Sequence, residues 1–209
     1  MAKHRGYKGM MISFVLFGSG AVYLLHAFLF RLSWSTATLG LGDDRQLMPY
    51  GATPLVLHPD PQDVWNCVSL FLGATHFPSL GLLHEYWRLL TSMFVHHNLL
   101  HLITNLSLLL LLRNVSDARL QTQAFLLLCG AQANLAAALC APHSLIVGAS
   151  SISFALAAFR LYEAIKQGQY SVRLALCLTL LGASFCSQAS DHVGHTVAFV
   201  LAGIFLAVK

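Results

Sequence analysis

The chain has 209 residues, of which 56% are hydrophobic and 10% charged, and its mean hydropathy is +0.66. Soluble domains carry about 25% charged residues, so this composition excludes a soluble globular protein and points to a membrane protein of several spans. A net charge of +4 without clustered basic runs gives no footprint for nucleic acid. The five cysteines, Cys67, Cys129, Cys140, Cys177 and Cys186, form no CxxC pair and read as packing residues rather than disulfides or a zinc site.

The basic N-terminus MAKHRGYKGMM leads into an apolar run over residues 10–30. The run is longer than the apolar region of a secretory signal, and Phe30-Arg31-Leu32 lacks the small residues of a cleavage site. It is read as a retained first span. No Arg- and Ser-rich amphipathic leader precedes it, so the expected location is a plasma or bacterial inner membrane.

Residues 31–86 form a long connection holding five of the six prolines and five of the eight acidic residues. Within it, VWNCVSLFLG (64–73) is apolar but too short to span, and reads as an in-plane or re-entrant helix. A connection of this length is more often functional than idle. The later spans are expected near 98–112, 120–141, 150–165, 172–187 and 191–208, in one domain covering 1–209.

Lysine and arginine set the orientation. With residues 1–9 cytoplasmic, nine of the twelve basic residues fall on the inner side: Lys3, Arg5, Lys8, Arg113, Arg119, Arg160, Lys166, Arg173 and Lys209. Arg31, Arg45 and Arg88 fall outside. Both termini are then cytoplasmic, and residues 31–97 form an outer loop. The polar features near His101, Ser150 and Asp191–His195 meet on the outer side at one depth.

Three stretches carry candidate chemistry. In WRLLTSMFVHHNLLHLITN (87–105), His101 and Asn105 are four apart and share a helix face. Polar groups there are costly in lipid and must face inward, either as interhelical bonds or as a site. In VGASSISFALAAF (147–159), Gly148 can adopt an unusual backbone angle just before a helix. Ser150 then sits at a helix N-terminus, where free amides favour an oxyanion; the plainer reading is a capping serine. Ser151 and Ser153 are rival nucleophiles. In SDHVGHTVAFVLAG (190–203), His195 lies above Ala198 and Ala202, a small face that admits a neighbouring helix, whereas His192 lies above Phe199. His195 is therefore the better placed base. A metal cluster of His97, His101, His192 and His195 lacks HExxH and any intramembrane carboxylate beyond Asp191; no metal and no cofactor are expected.

Together these stretches, from about Gly73 to Gly203, resemble the rhomboid family of intramembrane serine proteases. WRLLTSMFVHHNLLHLITN resembles the family's WR-containing first loop and HxxxN second span, GAS (148–150) its GxSG motif, and His195 its histidine on the last span. The resemblance implies an all-α bundle of six transmembrane helices with a long first outer loop. It implies Ser150 as nucleophile and His195 as general base, with His101, Asn105 and the Ser150 amide as oxyanion hole. His96, Trp87 and Arg88 would shape the outer loop, with Gly148 supporting the turn. Substrates would be transmembrane proteins, cut near the outer membrane face. Ser151 replaces the glycine after the nucleophile, and Ala198 and Ala202 stand where glycines are usual, so helices four and six are expected slightly further apart. A catalytically silent relative that binds transmembrane clients is the competing expectation. Residues 31–72 have no counterpart in the resemblance.

Overall fold

The computed structural model describes residues 10–38, 61–112, 120–185 and 191–207. The expectations for residues 1–9, for the middle of the outer loop, and for the charges at Arg113, Arg119 and Lys209 lie outside them. Among the described residues the fold is all-α, in the order α1 (Met10–Thr38), α2 (Pro61–Phe71), α3 (Phe77–Gly81), α4 (Arg88–Thr91), α5 (Leu99–Leu112), α6 (Leu120–Cys140), α7 (Ser150–Gln167), α8 (Val172–Phe185) and α9 (His192–Ala207). The one extended pairing among them is an isolated bridge between Thr75 and Ile146.

Several boundaries differ from expectation. The first helix does not stop near Phe30 but runs to Thr38, because no proline or glycine interrupts it before Gly40. The short helix expected over 64–73 begins earlier, at Pro61, where a missing N–H and a fixed φ suit the first helical position. The second apolar helix opens where Asn98 caps it: Asn98 Oδ1 accepts the His101 amide at 2.8 Å. The described part of that connection, from Pro61 onward, is a run of short helices rather than a plain loop.

The apolar helices point to a membrane protein. Two of them contain stretches long and apolar enough to cross a bilayer, Ile12–Leu32 in α1 and Gln123–Cys140 in α6. Leu99–Leu112, Leu174–Ala183 and His192–Ala207 are apolar but shorter, and α7 carries Arg160, Glu163 and Lys166 in its second half. Six full-length spans are therefore not visible by length and composition alone.

Helix α7 is the centre of the bundle. Every residue from Ser150 to Phe159 is buried, and the helix packs most extensively on α9. Small residues allow that approach: Ala155, Ala198 and Ala202 are all fully buried. Leu108, Leu109, Leu126, Ile152 and Leu156 fill the space between α5, α6 and α7. Helix α2 lies against α1, where Trp65 sits in a stripe of Tyr23, His26 and Phe30. Those three are one helical turn apart or nearly so, and therefore line one face. His26 is stacked on Trp65 at 3.9 Å, and its Nε2–H donates to the Trp65 carbonyl at 3.2 Å.

Candidate active site

Ser150 is the first residue of α7, and His195 lies in the first turn of α9. Their side chains meet: Ser150 Oγ and His195 Nε2 are 2.8 Å apart, across 45 residues of sequence. Both are nearly sealed, with 9% and 4% exposure. The imidazole is stacked face to face on Phe154, with centroids 4.2 Å apart and planes 12° from parallel. That ring holds the histidine's plane and fixes the direction of Nε2. With its proton on Nδ1, His195 can accept the serine hydroxyl proton at Nε2, the geometry required of a nucleophile and its base. The alanines at 198 and 202 do not keep α7 and α9 from bringing these groups into hydrogen-bonding range.

The start of α9 is held by a cap. Asp191 Oδ1 accepts the Gly194 amide at 2.8 Å, and the Asp191 carbonyl accepts the His195 amide at 3.1 Å. A side chain at position 194 would run into the Asp191 carboxylate and come within 3.1 Å of the Ala133 carbonyl. His192 points outward and is exposed.

The opposite wall comes from α5. Gly148 adopts φ +104°, a region that disfavours side chains, and the space beside it is taken by the α5 polar face. A Cβ on Gly148 would lie 2.7 Å from His101 Cε1, 2.8 Å from His101 Nε2 and 3.0 Å from Asn105 Nδ2. His101 and Asn105 thus press directly on the turn that delivers Ser150. Asn105 is 2% exposed, and its Nδ2 has no hydrogen-bond partner among the described residues. A buried donor left unpaired is costly unless something else accepts from it.

The rival serines are placed differently. Ser151 Oγ is buried without a partner, and Ser153 Oγ lies 3.4 Å from the Ala149 carbonyl. His96 is fully buried, with its Nδ1–H donating to the Phe94 carbonyl at 3.1 Å and its ring edge-on to His101 at 5.1 Å. Burial first, and the neighbouring His101 ring second, push the His96 imidazole down to about 3. His97 stacks on His101 at 6.1 Å. Among the described residues no three His, Cys, Asp or Glu side chains converge as metal ligands would.

Arg88, the first residue of α4, is buried. Its Nε donates to Glu85 at 2.6 Å, and Nη1 donates to the Leu70 and Ala74 carbonyls. Its guanidinium lies over the half-exposed Trp87 ring at 4.5 Å. The pair therefore braces the turn at residues 70–75.

Sequence reasoning missed two contributors that hold the imidazole. Phe154 lies one turn beyond Ser150 on the same face, and helical spacing could have flagged it. The Asp191-to-Gly194 cap has the spacing of an N-terminal cap and was also legible.

A family model described as Rhomboid domain matches residues 83–208. The chain is also 29% identical over 150 residues to "Rhomboid-like protease 3" of Toxoplasma gondii, an alignment covering 66% of this chain and 56% of that relative. The chain thus spans little more than half the length of the curated relative it matches. No solved structure matches it significantly.

Proposed function

The chain belongs to the rhomboid family, and on that premise we propose that it is an intramembrane serine endopeptidase. The observation that carries the proposal is the buried 2.8 Å approach of Ser150 Oγ to His195 Nε2 at the first turns of two packed helices. Ser150 is the nucleophile. Its oxygen bonds to the carbonyl carbon of a peptide, and its proton passes to His195 Nε2. The negative charge that builds on the carbonyl oxygen is met by the unpaired Nδ2–H of Asn105, by His101 and by the free amide of Ser150 at the start of α7. Collapse expels the amine, which takes the proton from His195. Water then repeats the sequence on the acyl-enzyme, with His195 as base, and releases the carboxylate. No third acid and no cofactor are needed; Phe154 and the Asp191 cap hold the imidazole instead.

The substrates are transmembrane proteins, cut near the outer face of the bilayer. We place the chain as one domain over 1–209 with six spans, residues 1–9 and the C-terminus cytoplasmic, and residues 31–97 outside. The nine-to-three division of Lys and Arg supports that orientation. His96, Trp87, Arg88 and Gly148 support the site from the outer segment and from the turn before Ser150.

A second reading is a silent relative that holds transmembrane clients without cutting them. Ser151, standing where the family usually has glycine, favours it. The two readings separate on a fluorophosphonate probe applied to purified protein in detergent. The protease labels in wild type and in Ser151→Ala, and fails to label in Ser150→Ala and His195→Ala. Wild type that stays unlabelled beside a labelling rhomboid control refutes the protease.

A further inference from the structure

We infer that Thr75, Ser92 and Asn134 are positioning residues that set the turn carrying Gly148 and Ser150; the inference rests on the protease reading above. All three side chains are buried, with exposures of 0%, 0% and 3%. They belong to three separate parts of the chain: the turn after α2, the segment after α4, and the middle of α6. None of them touches the Ser150–His195 pair.

Ser92 is the hub, and both of its oxygens are engaged. Its carbonyl accepts the Gly148 amide at 2.9 Å. Its Oγ accepts from Asn134 Nδ2 at 2.9 Å and lies 3.0 Å from Thr75 Oγ1. Asn134 gives its second Nδ2 proton to the Leu89 carbonyl at 3.0 Å. Thr75 Oγ1 lies 2.8 Å from the Arg88 carbonyl. A threonine hydroxyl has one proton and a carbonyl only accepts, so that proton goes to Arg88 O. The Ser92 proton then completes the contact with Thr75. With this assignment every polar atom named is satisfied, which a buried network requires.

Thr75 grips the same turn a second time. Its amide donates to the Ile146 carbonyl at 3.0 Å, and the Ile146 amide donates back to the Thr75 carbonyl at 2.9 Å. The segment before Ser150 is therefore held at two points two residues apart, Ile146 by Thr75 and Gly148 by Ser92. The two holding residues are tied to each other through their hydroxyls and to α6 through Asn134. Gly148 in turn is the residue pressed against His101 and Asn105. Loosening the hub shifts Gly148 relative to the α5 wall, and with it the amide and hydroxyl of Ser150. Displacements near 1 Å cost on the order of a hundredfold in rate.

The test is the kinetics of fluorophosphonate labelling on the full chain, resolved into probe affinity, maximal labelling rate and final labelled fraction. Thr75→Val keeps the shape and removes the hydroxyl; Ser92→Ala removes the hub oxygen; Thr75→Ser restores the hydroxyl. We expect Thr75→Val and Ser92→Ala to label to completion with unchanged probe affinity but at least tenfold more slowly. Thr75→Ser should recover to within about threefold of wild type. A purely structural role would show differently, as a lower labelled fraction and lower melting temperature with surviving molecules reacting at the wild-type rate; that result overturns the inference. If Ser92→Ala does not fold, the near-isosteric Thr75→Val decides by the same criterion. Wild-type labelling with unchanged variants overturns this inference alone, whereas an unlabelled wild type overturns it together with the protease reading.

Discussion

Replacing Gly148 by alanine tests the proposed oxyanion wall most directly. At φ +104° an L side chain carries backbone strain of about 1–3 kcal/mol. The new methyl would also stand 2.7 Å from His101 Cε1 and 3.0 Å from Asn105 Nδ2. Ordinary van der Waals contact begins near 3.5 Å between carbon atoms, so His101 must retreat by roughly 0.8 Å and Asn105 by somewhat less. Neither can move freely, because the ring is boxed in by His96 and His97 and the amide is 2% exposed. A displacement of that size at an oxyanion donor is worth a fall in rate of about 10- to 100-fold. The assay is probe labelling and cleavage of a transmembrane substrate in detergent, beside thermal unfolding. We expect a folded protein with a modestly lowered melting temperature and a rate reduced by that factor. Activity within threefold of wild type in a folded Gly148→Ala protein refutes the reasoning, because it would mean the α5 wall is not where the charge develops.

Three further outcomes follow from the same geometry. Asn105→Leu removes a buried donor that has no partner, so the melting temperature should hold or rise while cleavage falls by about 10²–10³-fold; a loss of both would show that Asn105 is structural. His96 is kept neutral by burial, with its value pushed down to about 3, while an unfolded chain protonates it below about 6.5. Its contribution to stability is thus full above 6.5 and is lost as pH falls toward 3, by about 2 kcal/mol at pH 5; melts from pH 7 to 5 should flatten in His96→Gln, and an unchanged slope would contradict this. Asp191→Ala removes the cap on α9 and should lower stability by about 1 kcal/mol, with Asp191→Asn recovering most of it in the same melts.

What was legible in the sequence was local or periodic. His101 and Asn105 share a face because they are four apart, and Ser150 opens a helix because Gly148 precedes an apolar run. Asn98 and Asp191 are of the residue types that cap helices, although neither was expected as a cap. The overrun of α1 to Thr38 was harder to see, because its signal is only the lack of a breaker before Gly40. The Thr75–Ser92–Asn134 network was invisible for a different reason. Each member is a single small polar residue, and the pairs close over 17 and 42 residues. Such pairings depend on how α6 and the outer segment come together, which no window of sequence contains.

Those short helices have a consequence for the lipid around them. Among the described residues, α5 and α8 have 14 each and α9 has 16, which at 1.5 Å per residue is about 21 to 24 Å. The hydrocarbon of a typical bilayer is about 30 Å thick. In the proposed six-span arrangement, the leaflets beside this face must dimple inward by several ångströms to match, while α1, at 29 residues, is long enough to cross with tilt. In that arrangement the molecule would sit in an elastic defect of its own making, with headgroups and water drawn down beside these helices. Acyl-chain length becomes a control on the protein: thin bilayers relieve the deformation, and thick, sterol-rich ones oppose it. In that arrangement the chain would match thinner membranes better than thicker ones.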